Sequence, residues 1–118
     1  MSRIRSDLWC AAFIRRHNDL GQMCVVARKG DPVAGQIWIE VDHLNGTVSL
    51  FAPAPGLGLQ EQSLDRQFER RFDKAAPERA RERLAREIEF DPDVWIVSLE
   101  SRNDDPGITI VNADSAKR

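Results

Sequence analysis

A chain of 118 residues that is 42% apolar and 31% charged has the length of one domain and a composition that excludes a disordered or membrane-embedded protein. Its formal net charge of -2 gives no global attraction to nucleic acid or to an anionic membrane, so either partner would need a local patch. At this size folding buries roughly two-thirds of the unfolded surface, enough for a core without disulfide or metal staples.

The N-terminus has basic residues ahead of an apolar run at Leu8 to Ile14. That run is too short for a secretion signal and ends in Arg15-Arg16 without a small-residue cleavage site, so the expected location is cytoplasmic. Ser6 to Leu20 reads as a helix, with Ser6 as N-cap, Asp7 in the first turn and Gly21 as the stop. A 100° step places Trp9, Cys10, Phe13, Ile14, His17 and Leu20 on one core face, with Arg16 at its edge. Cys10 and Cys24 both lie in apolar runs and are expected as buried, reduced thiols.

Three β-rich runs follow, at 23–27, 36–41 and 47–51, and read as an antiparallel meander. Asn45-Gly46 is a strong hairpin signal for the second connection. Ile37, Ile39 and Val41 share one face of their strand. Trp38, Glu40 and Asp42 share the other, which is expected to be partly solvated, leaving Trp38 as an aromatic on the wetter side. The first connection, Arg28 to Gly35, has charged residues, a proline and a glycine at each end. It is either a tight structural turn between adjacent strands or the rim of a binding site.

Pro53 to Gly58 is a loop. Phe68, Arg70 and Phe72 then fit a fourth strand, although Leu64, Phe68 and Phe72 also fit a helical period. Pro77 opens a helix to about Phe90 with Ala80, Leu84 and Ile88 as its buried stripe, and Asp91-Pro92 ends it. Val94 to Leu99 is apolar on both faces and reads as an interior strand. A turn at 104–107 leads to an edge strand at Ile108 to Val111. The whole is a single α+β domain over residues 1–118, an antiparallel meander plus a C-terminal interior strand, with two helices packed on the sheet.

At Arg15-Arg16, the Gly-Asp-Pro-x-Ala-Gly loop and Phe90-Asp91-Pro92-Asp93-Val94-Trp95, the chain resembles a family of small uncharacterised alphaproteobacterial proteins catalogued as a domain of unknown function. The resemblance runs along the chain and is least regular after Asn103. It implies a bacterial, cytoplasmic, single-domain α+β protein and carries no activity to transfer.

No residue spacing in the sequence matches a metal site, a phosphate-binding loop, a dinucleotide fingerprint or a nucleophile elbow, so no metal, cofactor or catalytic residue is assigned. His43, ahead of the hairpin turn, is expected to be exposed. Arg79, Arg83 and Arg86 share a helix face, but interleaved acids leave at most weak, non-specific nucleic-acid binding. Asp91 and Asp93 either close the turn after the second helix or, with Glu100, form an acidic rim for a cationic partner, a divalent ion or the Arg28-Lys29 tip.

Two functions are consistent with these residues. The first is a non-catalytic module, or a homodimer, contacting another macromolecule through Arg16, Arg28, Asp31, Trp38, Asp91 and Asp93. On this reading Arg28→Ala with Asp31→Ala leaves folding nearly intact. The alternative is a small enzyme or ligand binder with a helix–sheet pocket, pairing His17 with Asp31 or Asp91 as acid and base.

Overall fold

The computed structural model describes residues 4–55, 66–103 and 105–111. Gly56, Gly58, Leu64 and Asp104 lie outside the described residues.

The first helix, α1 (Ser6–Asp19), buries Trp9, Cys10, Phe13 and His17, while Ile14 packs partly buried against the same core. Its start lies one residue earlier than the sequence suggests: Arg5 is the N-cap and Ser6 is the first helical residue. At the other end Gly21 takes φ +85°. Its N–H bonds Asn18 O at 3.0 Å and the Gln22 N–H bonds His17 O at 3.0 Å, the paired closure of a Schellman motif. Leu20 is already past the helix and is 69% exposed, so it leaves the predicted core face.

Strands β1 (Cys24–Arg28), β2 (Ile37–Asp42), β3 (Val48–Pro53), β4 (Gln67–Ala75), β5 (Trp95–Glu100) and β6 (Thr109–Ile110), with α2 (Pro77–Phe90) between β4 and β5, complete the chain. The sheet order is β1-β5-β2-β3-β4-β6. Antiparallel pairing from β2 through β3 to β4 agrees with the predicted meander. The first step does not: β5 inserts between β1 and β2, antiparallel to β1 and parallel to β2. Burial explains the insertion. Val94, Trp95, Ile96, Val97 and Leu99 are all buried, so this run gains most in an interior lane. In contrast, β1 keeps Val25 and Val26 exposed and occupies the edge.

The helices cover opposite faces of the sheet. One core gathers Phe13, Ile37, Ile39, Phe51, Phe68 and Val97 beneath α1; the other gathers Trp38, Leu50, Ala52, Leu84 and Ile96 beneath α2. Trp38 is therefore buried, 3% exposed, and the solvated face expected for it does not exist. Its cover is the Ala80-Leu84-Ile88 stripe of α2 with its flanking arginines.

The fourth strand contains a feature that strict alternation conceals. Phe51 pairs with Arg70 but Leu50 pairs with Phe72, a bulge that sets two residues of β4 against one step of β3 and reverses side-chain facing. Phe68 thus joins the α1 core and Phe72 packs against the α2 core, although their spacing in a regular strand would place them on one side.

Both cysteines are buried and free. Burial pushes the Cys10 thiol up to about 12 and the Cys24 thiol up to about 11, from an ordinary value of 9.0. The folded state therefore favours the protonated thiols. Their contribution to stability is complete below about pH 8 and is lost as pH rises past 9, where the unfolded chain ionises first. We expect no reaction with a disulfide reagent at pH 8 in the native protein and titration of both thiols in denaturant. Rapid native labelling would show that these side chains are accessible.

Candidate functional site

The segment after β1 is an arch across the start of β5. Arg28 Nη1 donates to Pro92 O at 2.9 Å and to Val94 O at 2.8 Å. The Asp31 N–H bonds Asp93 O at 3.0 Å, and Trp95 Nε1 donates to Asp31 O at 2.7 Å. The Asp31 carboxylate accepts the N–H groups of Val33 and Ala34. At the far side of the arch, Pro32 and Val33 offer their carbonyls to the free N–H groups of Asp7 and Ser6, satisfying donors that a helix start leaves open. Ser6 Oγ donates to Gly35 O.

The composition that marked this segment as unusual is thus consumed by the fold. It is not a turn between adjacent strands, because β5 lies between the strands it joins. Arg28→Ala is expected to cost about 1.5–3 kcal/mol in urea unfolding, the range for hydrogen bonds from a charged donor, reversing the expectation that the loop tip is separable from folding. Asp91, beyond the end of α2, accepts the Asp93 N–H on its carboxylate at 3.1 Å, the turn-closing role weighed for it.

His17 sits elsewhere. Its Nδ1 lies 2.6 Å from Gln22 Oε1, and its ring packs on Phe13 with centroids 4.3 Å apart. Asp31 is held at the start of α1, and His17 lies three helical turns away, about 16 Å along the axis. The acid–base set of His17 with Asp31 or Asp91 is not assembled. Arg16 is near His17, with Nη2 donating to Gly107 O at 2.8 Å.

The α2 face carries an open cleft of about 580 Å³, lined by Trp38, Ala52, Pro55, Arg71, Arg83 and Phe90 among others. Trp38 forms its floor. The Arg83 guanidinium lies 4.8 Å from the centre of the indole and that of Arg71 5.7 Å, both within cation–π range. Arg83 pairs with Glu87 at 3.0 Å, whereas Arg71 reaches Glu69 only at 4.0 Å. Phe90, at the rim, is 86% exposed. Asp91 also lines this cleft, so of the residues singled out from the sequence Trp38 and Asp91 meet here. Arg16, Arg28, Asp31 and Asp93 do not line it.

A family model for proteins of unknown function, DUF1491, matches residues 4–109. The chain belongs to the DUF1491 family. It is similar to a protein from A. tumefaciens solved in solution, at 30% identity over 93% of this chain and 96% of that one, with a TM-score of 0.80. A DUF1491 protein from Caulobacter crescentus, solved as a crystal structure, is 28% identical over 92% of this chain and 98% of that one, with a TM-score of 0.75. No match was found among curated proteins. The resemblance drawn from the arginine pair, the arch and the 90–95 junction therefore names the right family.

The match to DUF1491 spans both the arch and the cleft. Sequence reading missed Arg71 and Arg83 as a pair, because they meet only where β4 and α2 come together over Trp38, and no local pattern reports that meeting. It also placed His43 in solvent. His43 is buried, with Nε2 2.8 Å from Ser49 Oγ. Among the described residues no three His, Cys, Asp or Glu side chains are grouped to hold a metal ion, and no helix is long and apolar enough to cross a membrane.

Proposed function

We propose that this DUF1491 protein is a non-catalytic cytoplasmic interaction module that binds a partner protein through the cleft beside α2. The observation that carries the reading is the arrangement of Arg71 and Arg83 on Trp38 with Phe90 projecting at the rim. Cation–π contact with Trp38 restrains both guanidinium groups in advance, which lowers the entropy lost on binding. Phe90, 86% exposed at the rim, adds an apolar anchor that a partner could bury. A segment presenting a carboxylate to Arg71 and an apolar side chain to Phe90 matches this chemistry.

Affinity capture from native lysate, comparing the parent with Arg71→Ala/Phe90→Ser, tests it. The parent should retain a partner that the variant loses, while the two melt within a few degrees of one another. Equal capture by both, or no capture with a strict monomer in sedimentation, would sink the reading; self-association lost in the variant would identify the partner as a second copy.

Nucleic acid is not the expected partner. Arg79 lies 4.5 Å from the Phe72 ring centre and Arg83 is committed to Trp38 and Glu87, so two of the three arginines in the row on α2 reach aromatic rings of the sheet, and Arg86 is left exposed. Fluorescence anisotropy with duplex and single-stranded oligonucleotides at physiological salt should show binding weaker than about micromolar. A steep salt slope with tighter binding would contradict this.

A further inference from the structure

On the α1 side of the sheet, away from the cleft beside α2, a groove of about 200 Å³ is lined by Ile4, Leu8, Ala12, Phe13, Arg16 and Ile108 among others. Leu8, Ala12 and Arg16 follow at four-residue steps, so one row of α1 supplies a wall. Leu8 is 59% exposed and Ile4 48%, and between Leu8 and Arg16 the exposed Ala12 contributes only a methyl group. Arg16 stands about 12 Å along the axis from Leu8 and is the only charged side chain of the lining. Its guanidinium is held in place, with Nη2 donating to Gly107 O at 2.8 Å and its centre 5.5 Å from that of the Phe13 ring. No carboxylate neutralises it: the ion pairs among the described residues join Arg5 to Asp7, Arg71 to Glu69 and Arg83 to Glu87. Asp105, in the turn that carries Gly107, spends Oδ1 on the Gly107 N–H at 2.8 Å.

We propose that this groove binds a small alkyl carboxylate, its chain laid along Leu8, Ile4 and Ile108 and its carboxylate on the Arg16 guanidinium. The ligand supplies both things the groove lacks, a cover for exposed apolar side chains and a counter-charge for an unpaired cation. Arginine carries five N–H donors, so the bond to Gly107 O leaves the guanidinium able to donate to a carboxylate, and its fixed position reduces the ordering cost of doing so. The volume is below the roughly 300 Å³ at which drug-sized sites begin. With a water's share of liquid volume at about 30 Å³, there is room for about six or seven groups of that size, which suits a chain of a few carbons with its carboxylate.

The test is an NMR titration with sodium hexanoate at constant ionic strength, with sodium acetate as the control for charge alone and hexan-1-ol as the control for the chain alone. Hexanoate should shift Leu8, Ala12, Gly107 and Ile108 along one saturating curve. Acetate should leave them in place, and the alcohol should bind about tenfold more weakly or worse, as expected for a lost charge-assisted contact. Ala12→Leu fills the groove from an exposed helix position that tolerates leucine, so it should melt within a few degrees of the parent and lose hexanoate. Arg16→Met keeps an unbranched stem over Phe13 and should bind hexanoate no better than the alcohol; if it does not fold, Ala12→Leu and the alcohol decide. The Arg71→Ala/Phe90→Ser variant should bind as the parent does, which separates this groove from the α2 cleft. Shifts that never saturate, shifts centred on Arg71 and Phe90, equal affinity for hexanoate and the alcohol, or undiminished binding in Ala12→Leu would overturn the proposal.

Discussion

Gly30→Ala is expected to destabilise the protein by about 3 kcal/mol or more, at or beyond the upper end of the usual range for overpacking. A Cβ at Gly30 would stand 2.1 Å from Asp93 O and 2.7 Å from the Val94 carbonyl carbon. Both neighbours are backbone, and Asp93 O is already fixed by the Asp31 N–H. Relief would require the arch to lift from β5, breaking that bond and straining the one from Trp95 Nε1 to Asp31 O. With an unfolding entropy of about 2.1 cal/mol/K per residue, a chain of this length loses about 4 °C per kcal/mol, so the melting temperature should fall by roughly 12 °C. Gly21→Ala is the control. Nothing lies within 4 Å of a Cβ there, and only the left-handed φ of +85° opposes it, a cost of about 1–2 kcal/mol. If thermal melts show Gly30→Ala equal to or milder than Gly21→Ala, the arch does not press on β5.

The same loop shows what was legible in the sequence and what was not. Gly30, Asp31, Pro32 and Gly35 announced a specified conformation, and one exists. Their residue types suit a ligand-binding rim and a close backbone crossing equally well, since both need a missing Cβ and a fixed turn. Which of the two applies depends on β5, which returns more than sixty residues later to lie between β1 and β2. Local patterns fix the interior character of β5, because Val94 to Leu99 is apolar at every position but Ser98. They do not say between which strands it enters.

Trp38 follows the same logic. Alternation correctly set it opposite Ile37 and Ile39, but the prediction that its face is wet assumed both helices on one side. The stripe on α2 had to be assigned to a face before Arg83 could be seen above Trp38, and β4 had to be placed in the sheet before Arg71 could join it. Residues whose neighbours are near in sequence, such as the Schellman closure at Gly21 and the Arg83–Glu87 pair, were readable. The cleft, built by a helix, a central strand and a bulged strand, was not.

Phe13→Ala tests the part of the fold that sequence periodicity described best, and its expected cost is about 3–5 kcal/mol. Phe13 is 2% exposed and stands at the centre of an aromatic column on α1. Its ring is stacked 5.1 Å from that of Trp9 and lies 4.3 Å from that of His17 at a tilt of 49°, with the Arg16 guanidinium 5.5 Å from its centre. Truncation removes the middle of this column. The two outer rings cannot close the gap, because Trp9 also packs on Phe68 at 5.6 Å and His17 is tied to Gln22. The cavity should therefore stay open, which places the loss above that of a site able to collapse. Leu20→Ala, by contrast, changes a side chain that the helix end leaves in solvent, and should stay within about 0.5 kcal/mol of the parent. The helical wheel sets both residues on one face, so the pair separates periodicity from position. Comparable losses from the two in urea unfolding would mean that α1 continues past Asp19 and docks through Leu20, whereas a large loss from Phe13 alone matches a helix that stops at Gly21.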